Sequence, residues 1–576
     1  MNNCFEKEFA RWDELVPEDS PLRADIEELR SDAVKREFYF TSPLAFGTAG
    51  LRGIMTAGIN AMNVYTVAQA TKGFADYINE ASPDNRSCVI GYDSRINSEK
   101  FAKAAAAVMA ANGVKVWLFD ELRPTPVLSF AVRRLGSAAG INVTASHNPK
   151  QYNGYKAYWE DGAQLAPEQA TAVENYIRRA DLFYAAESVS DFDSLLAEGK
   201  IIYVGAEIDE EYLENVIAQQ VDKTAVRKAA DELKIVYTPL HGTGYRLIPE
   251  TLSRIGLRHL IKVEEQFVLD GSFPTVAFPN PEYPDVFKLG IALADENGSD
   301  LIIATDPDAD RVGIMARNKD GKFVTFTGNQ VGALLLEYIA RTLKDQGRMP
   351  DDAYAIKTIV TTELVSEICR RHGITLYNVL TGFKYIGEVI KSCEESGKGT
   401  FLLGFEESYG YLRGSYARDK DAVVATGLIV EMAAHFKLRG KTLCDALDEL
   451  YEEYGSWREG VDNIAMEGID GPARMASAMN GLRENPPKQL CGRRVKYVRD
   501  YQKGTILDTE SGATSPTNLP PSNVLYFETD DRNVVVIRPS GTEPKIKIYY
   551  LMHAATFPEA DALVAEAKGE MKKLMG

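Results

Sequence analysis

Three aspartates at alternate positions, Asp306, Asp308 and Asp310, follow the apolar run LIIAT and precede Arg311 and a second apolar run, VGIMA. Carboxylates so close together at a strand end repel one another and need a cation. A set of oxygens without His or Cys selects a hard ion, and Mg²⁺ is the common intracellular one beside phosphate. An EF-hand is excluded, because its sixth and twelfth positions must be Gly and Glu, and this chain has Arg311 and Arg317 there. A solvated acidic turn would read the same way.

Ser146 lies in NVTASHNPKQYNGYK, residues 142–156. The GxSxG elbow of α/β-hydrolases is absent. Side chains of adjacent residues diverge, so His147 is not expected to act as a base on Ser146. A polar turn accounts for both residues without any chemistry. A serine beside a divalent ion can instead accept and donate a phosphoryl group, since that reaction asks mainly for positioning and charge compensation.

Two further loops carry polar groups. Arg538, Ser540, Gly541, Thr542 and Lys545 in RPSGTEPK offer a guanidinium, hydroxyls, open backbone and an ammonium. That set suits a phosphate, and equally a hairpin turn with surface charges. No GxxxxGK[ST] motif is present, so ATP has no support as a donor. Glu406 and Ser408 in GFEES offer acceptors and a hydroxyl to a sugar, or the acidic first turn of a helix.

The elements that must position these loops alternate. VYTVAQATKGFADYI, CVIGYD, KFAKAAAAVMAANG and VKVWLFD read as helix, strand, helix and strand, which predicts a parallel, doubly wound α/β sheet. The order restarts at KIVYTPL and again from residue 355. In RRLGSAAGINVTASHNP, ADENGSDLIIATDPDADR and CEESGKGTFLLGFEESYG, a helix and a glycine lead into an apolar strand and then a polar loop. Three related domains with ligand loops at their strand ends produce such a layout. NVVVIRPSGTEPKIKIYYLM reads as two strands around a tight turn before a final helix, an α+β arrangement. The restarts divide the chain into 1–205 with an N-terminal helical extension, 206–322, 323–450 and a smaller 451–576.

Composition narrows the function classes. With 576 residues, 45% apolar and 26% charged, the chain is long enough for several cores and is neither disordered nor fibrous. No stretch approaches the ~18 apolar residues of a membrane span and no export segment is visible, so a cytoplasmic protein is expected. A net charge of −18 argues against nucleic acid, and an anionic ligand needs local positive charge. Six cysteines without a CxxC pair read as buried thiols rather than as zinc ligands or disulfides.

TASHNP, DPDADR, GFEES and RPSGTEPK in this order, with FGTAGLRG at 46–53, resemble the signature loops of the α-D-phosphohexomutases. GTAGLRG and GFEESYG are most similar to the phosphoglucomutase branch, which also includes phosphopentomutases and glucose-1,6-bisphosphate synthases. The resemblance implies four domains around a central cleft. It implies a phosphoserine at Ser146, whose phosphate joins Asp306, Asp308 and Asp310 on Mg²⁺, with Arg311 near the transferring phosphate. Arg52 and Lys156 match basic positions near that serine. Thr381, Gly382, Glu406 and Ser408 match the sugar site, and Arg538, Ser540, Gly541, Thr542 and Lys545 the loop for the phosphate that stays in place.

Two departures stand out. Tyr409-Gly410 follows Ser408 where many members have Gly-His, so the acid/base role passes to Lys420 of ARDKDA, with His147 as the alternative. Pro307 and Ala309 replace frequent glycines in the aspartate loop, a change expected to leave ligation intact. The reaction implied is interconversion of glucose 1-phosphate and glucose 6-phosphate through glucose 1,6-bisphosphate, by a monomer or homodimer. A mannose or pentose phosphate substrate, bisphosphate synthesis, or sugar-phosphate binding without catalysis are the alternatives.

Overall fold

The computed structural model describes residues 4–47, 50–466, 470–539 and 545–575. They form two compact units. One holds the chain up to Gly328 with Gly387–Leu403 and Ser408–Thr442, and the other holds Asn329–Ile386, Gly404–Glu407 and the chain from Leu443.

Among the described residues the first unit contains two complete sheets. Its six-stranded sheet runs in the order Leu51–Ile54, Tyr152–Trp159, Ala139–Val143, Ser87–Tyr92, Lys115–Phe119, Ile201–Val204. The four strands from Ala139–Val143 onward are parallel. Ser87–Tyr92 and Ala139–Val143 are buried at every position, as central strands covered on both faces must be. The helix Ser98–Ala111 supplies much of that cover, its alanines Ala102, Ala105 and Ala106 packing with Ile90, Ile141 and Val143. The five-stranded sheet is built alike, with His259–Lys262, Lys234–Thr238 and Leu301–Thr305 parallel.

The parallel expectation holds for the centre of each sheet and fails at one edge. Tyr152–Trp159 runs antiparallel to Ala139–Val143, and Val312–Arg317 antiparallel to Leu301–Thr305. The loops joining them, 144–151 and 306–311, are too short for the dozen or so residues a parallel crossover takes. These two hairpin loops carry Ser146 and the aspartates.

The shared helix–glycine–strand layout has one cause. The helices Thr125–Arg134, Lys288–Asn297 and Phe383–Ser396 precede Gly136, Gly298 and Gly397, all left-handed with φ of 59°, 63° and 62°. The next amide in each case bonds back five residues, Ser137 to Val132 (2.9 Å), Ser299 to Ala294 (2.9 Å) and Lys398 to Cys393 (3.0 Å). This closure satisfies orphan carbonyls and turns the chain sharply into the next strand.

The N-terminal helices Cys4–Leu15, Arg23–Ser31 and Ala33–Phe40 dock through Trp12, which meets Phe40, Tyr65 and Phe183 edge-on with ring centroids 5.3–5.7 Å away. In the second unit, Ala353–Thr358 and Thr375–Val379 pair in parallel. Among the described residues the C-terminal sheet pairs its strands antiparallel, including Val534–Pro539 with Lys545–Ala554. Apolar residues of the helices Gly471–Glu484 and Phe557–Leu574 join this sheet's core, giving the expected α+β domain. Cys88, Cys369, Cys393 and Cys491 are buried, whereas Cys4 is exposed and Cys444 half-buried, so the buried-thiol expectation holds for four of the six. Among the described residues no helix is long and apolar enough to cross a membrane.

Candidate active site

Asp306 directly follows the strand Leu301–Thr305, and its loop folds back over it. Oδ1 accepts the amides of Asp310 (3.1 Å) and Arg311 (3.0 Å). Ala309 completes that curl with φ 49°, which explains why glycine suits this position and shows the loop closing without one. The serine loop enters from the first sheet, and Ser146 Oγ donates to Asp306 Oδ2 at 2.6 Å. Two loops 160 residues apart thus meet at one oxygen pair.

Lys156, on the strand antiparallel to the one leading to Ser146, donates to Asp308 Oδ2 (2.6 Å) and Asp310 Oδ2 (2.9 Å). Lys420 reaches Asp310 Oδ2 at 3.2 Å and Asp419 Oδ1 at 2.9 Å. Asp419 is braced in turn by the Tyr158 hydroxyl (2.9 Å) and the Gln164 amide (3.0 Å). Arg52 is exposed and donates to Asn148 Oδ1 in the serine loop at 3.1 Å. The local positive charge demanded by an acidic chain is therefore present.

Burial sets the electrostatics. It lifts the Asp306 carboxyl well above the usual range, with repulsion from Asp308 and Asp310 adding to it. Burial pushes Asp310 the same way, yet Lys156, Lys420 and Arg311 outweigh it and hold Asp310 below that range. Burial opposes the charge on Lys156, but Asp308 and Asp310 prevail and raise its pKa.

His147 departs from expectation. Its Nδ1 lies 3.1 Å from Ser146 Oγ, because Ser146 takes the left-handed region (φ 50°) and swings the next side chain alongside its own. Burial, then Arg311 and Arg52, push the imidazole well below its ordinary pKa, so it is neutral. The imidazole thus lies against the Ser146 hydroxyl.

The aspartates suit a metal. One oxygen from each lies within 4.8 Å of the others, and all three residues are buried. Asp308 Oδ1 and Asp310 Oδ1 are buried without a hydrogen-bond partner, an expensive state for carboxylates unless a cation takes them. Ser146, hydrogen-bonded to Asp306, can add a further oxygen.

Other candidates lie in the second unit. Thr381 and Gly382 precede the helix beginning at Phe383, and Glu406 is the buried last residue of Thr400–Glu406. Arg538 hydrogen-bonds the Tyr549 hydroxyl, near which the Glu407 and Glu406 carboxylates also lie. Glu407 accepts the hydroxyls of Thr358 (3.2 Å) and Thr361 (3.3 Å). Lys545 opens the strand Lys545–Ala554. Ser408 belongs to the first unit. Ser540, Gly541 and Thr542 lie outside the described residues.

Several braces escaped the sequence reading. Thr125 grips Asp308 twice, hydroxyl to Oδ2 (2.6 Å) and amide to carbonyl (2.8 Å), and Asn142 donates to the Thr125 hydroxyl at 2.7 Å. Asp93, Arg95, Tyr158, Gln164 and Asp419 were missed as well. Asp93 directly follows the parallel strand Ser87–Tyr92, and a search of the carboxyl ends of such strands would have reached it and Arg95.

Comparisons with known proteins agree with this architecture. Models of phosphoglucomutase/phosphomannomutase α/β/α domains I, II and III match residues 43–183, 210–321 and 327–454. A phosphoglucomutase of Staphylococcus saprophyticus is 36% identical over 522 residues, covering 90% of this chain and 92% of that one. One of Staphylococcus aureus is 37% identical over 541 residues, covering 92% and 93%. Among solved structures, a putative phosphomannomutase from Thermus thermophilus superposes with a TM-score of 0.67 at 24% identity, covering 92% of this chain and 99% of that one. The phosphoprotein parafusin from Paramecium, in its open form, gives 0.67 at 16% identity, covering 93% and 95%. Both structures share the fold. With its three α/β domains matched in order and more than a third of the aligned positions identical to those of curated relatives across nine-tenths of its length, the chain belongs to the phosphoglucomutase/phosphomannomutase family.

Proposed function

We propose that this chain is a phosphoglucomutase, an isomerase interconverting glucose 1-phosphate and glucose 6-phosphate. The observation carrying the proposal is Ser146 Oγ at 2.6 Å from Asp306 within a buried carboxylate group that holds two lysines. Phosphorylated Ser146 gives its phosphoryl group to the free hydroxyl of the substrate. The serine O–P bond breaks as the sugar O–P bond forms, yielding glucose 1,6-bisphosphate. After the intermediate turns over, its other phosphate returns to Ser146.

Asp306, Asp308, Asp310 and Ser146 would hold Mg²⁺, which would supply charge compensation to the transferring oxygens. Lys156, Arg52 and Arg311 flank that phosphate. Glu406, Ser408, Thr381 and Gly382 hold the sugar, and Arg538, Ser540, Gly541, Thr542 and Lys545 anchor the stationary phosphate. The division at residues 205, 322 and 450 belongs to the same reading. Lys420, bonded to Asp419 and close to Asp310, exchanges the proton of the sugar hydroxyl. Lys420→Gln should therefore lower turnover by about 10²- to 10⁴-fold while KM changes far less. Turnover near that of the unaltered protein would remove Lys420 from the proton path.

Purified protein with Mg²⁺, glucose 1-phosphate and a trace of the bisphosphate should form glucose 6-phosphate, read by a coupled dehydrogenase. Turnover of mannose or ribose phosphates alone would reassign the substrate. No turnover of any, with no phosphate on Ser146 after incubation with the bisphosphate, would leave a binding protein.

A further inference from the structure

Ser146 occupies a left-handed conformation that non-glycine residues adopt only when their surroundings impose it. Both of its peptide groups are tied to one pair of residues. Its amide donates to Thr144 Oγ1 (2.8 Å), whose hydroxyl donates to Asp93 Oδ2 (2.6 Å). Its carbonyl accepts from Arg95 Nη2, which also reaches the carbonyl of Asn148. Arg95 Nη1 donates to the carbonyls of Pro149 (3.0 Å) and Tyr152 (3.2 Å). A single guanidinium thus gathers three carbonyls of the serine loop and that of Tyr152, which opens the next strand.

Arg95 is itself fixed. Its amide donates to Asp93 Oδ1 (3.0 Å), its Nε lies 3.5 Å from Asp93 Oδ2, and Ser98 Oγ secures Asp93 from behind at 2.7 Å. The Phe273 ring covers the guanidinium at 4.9 Å. Beside it the backbone of Gly271 packs so closely that a Cβ there would meet the Ile96 nitrogen at 2.3 Å. The segment carrying Phe273 comes from the second α/β domain, which also supplies the aspartates, so both domains seat the serine.

We infer that Arg95, with Asp93 and Thr144, is a positioning residue for the phosphoryl-transfer step, holding the backbone of Ser146 so that Oγ faces Asp306. The inference rests on the phosphoserine reading above. Among the described residues Arg95 hydrogen-bonds to none of the substrate-binding groups named there, so it acts on the geometry of transfer rather than on affinity. Lysine cannot replace it, because a single ammonium lacks the planar fork that spans four separated carbonyls.

Arg95→Lys retains the charge beside Asp93. It should lower kcat by about tenfold to a hundredfold, the cost of a displaced reacting atom, with KM for the sugar phosphate nearly unchanged. Thr144→Val releases the amide side alone and should show the same pattern more weakly. In the double variant the two losses should combine to less than their product, since both loosen one loop. Hydrogen exchange should quicken in peptides covering 140–155 and stay unchanged across the helix Ser98–Ala111. An Arg95→Lys protein with unaltered kcat, or one whose lost activity accompanies faster exchange throughout the molecule, would overturn the assignment. If the unaltered protein turns over no sugar phosphate, the mutase reading fails. The exchange measurement then still decides whether Arg95 holds the loop.

Discussion

Replacing Ser146 with alanine is expected to eliminate sugar-phosphate turnover, by about four orders of magnitude or more, as losses of covalent nucleophiles do. On the mechanism proposed above, the substitution deletes the one atom that carries the phosphoryl group and leaves the scaffold standing. The bonds to Thr144 and Arg95 come from the Ser146 backbone and survive. Asp306 loses one donor and keeps the amides of Asp310 and Arg311. The stability cost is then about 1–3 kcal/mol, that of one under-satisfied buried acceptor, so the variant should remain folded. A coupled assay reads the loss, and mass spectrometry of the peptide spanning residue 146 should find phosphate in the unaltered protein and none in the variant. Activity within about tenfold of normal would show that another group accepts the phosphoryl.

What the sequence made legible was local. The three carboxylates are neighbours in the chain, and LIIAT before them announces a strand end. The repeated helix, glycine and strand reads clearly because a left-handed closure needs only a few consecutive residues. What it concealed was set by distant partners. Arg95 lies 51 residues from Ser146, and Thr125 lies 183 from Asp308, with no pattern linking either pair. The His147 placement was missed for a related reason. Neighbouring side chains diverge in regular backbone, but tertiary contacts impose a left-handed Ser146. The antiparallel edges were in principle readable, since neither hairpin loop is long enough for a crossover.

Removing divalent metal should abolish activity, and adding Mg²⁺ should restore it. The argument is one of charge. Asp306, Asp308 and Asp310 are buried together, and two ammoniums reach only Asp308 Oδ2 and Asp310 Oδ2. Asp308 Oδ1 and Asp310 Oδ1 accept no hydrogen bond, the Arg311 Nε lying 3.9 Å from the second. A divalent ion there also competes with a proton, because burial and its two neighbours hold Asp306 toward its acid form. Metal binding displaces that proton, so affinity should weaken as pH falls, a trend calorimetry can follow. Asp308→Ala should cost more in metal affinity than the about 10- to 100-fold lost with an outer partner of a metal site. Full turnover in protein stripped of metal would mean that Lys156, Lys420 and Arg311 neutralise the aspartates, and the loop would then be an ion-pair network rather than a metal site.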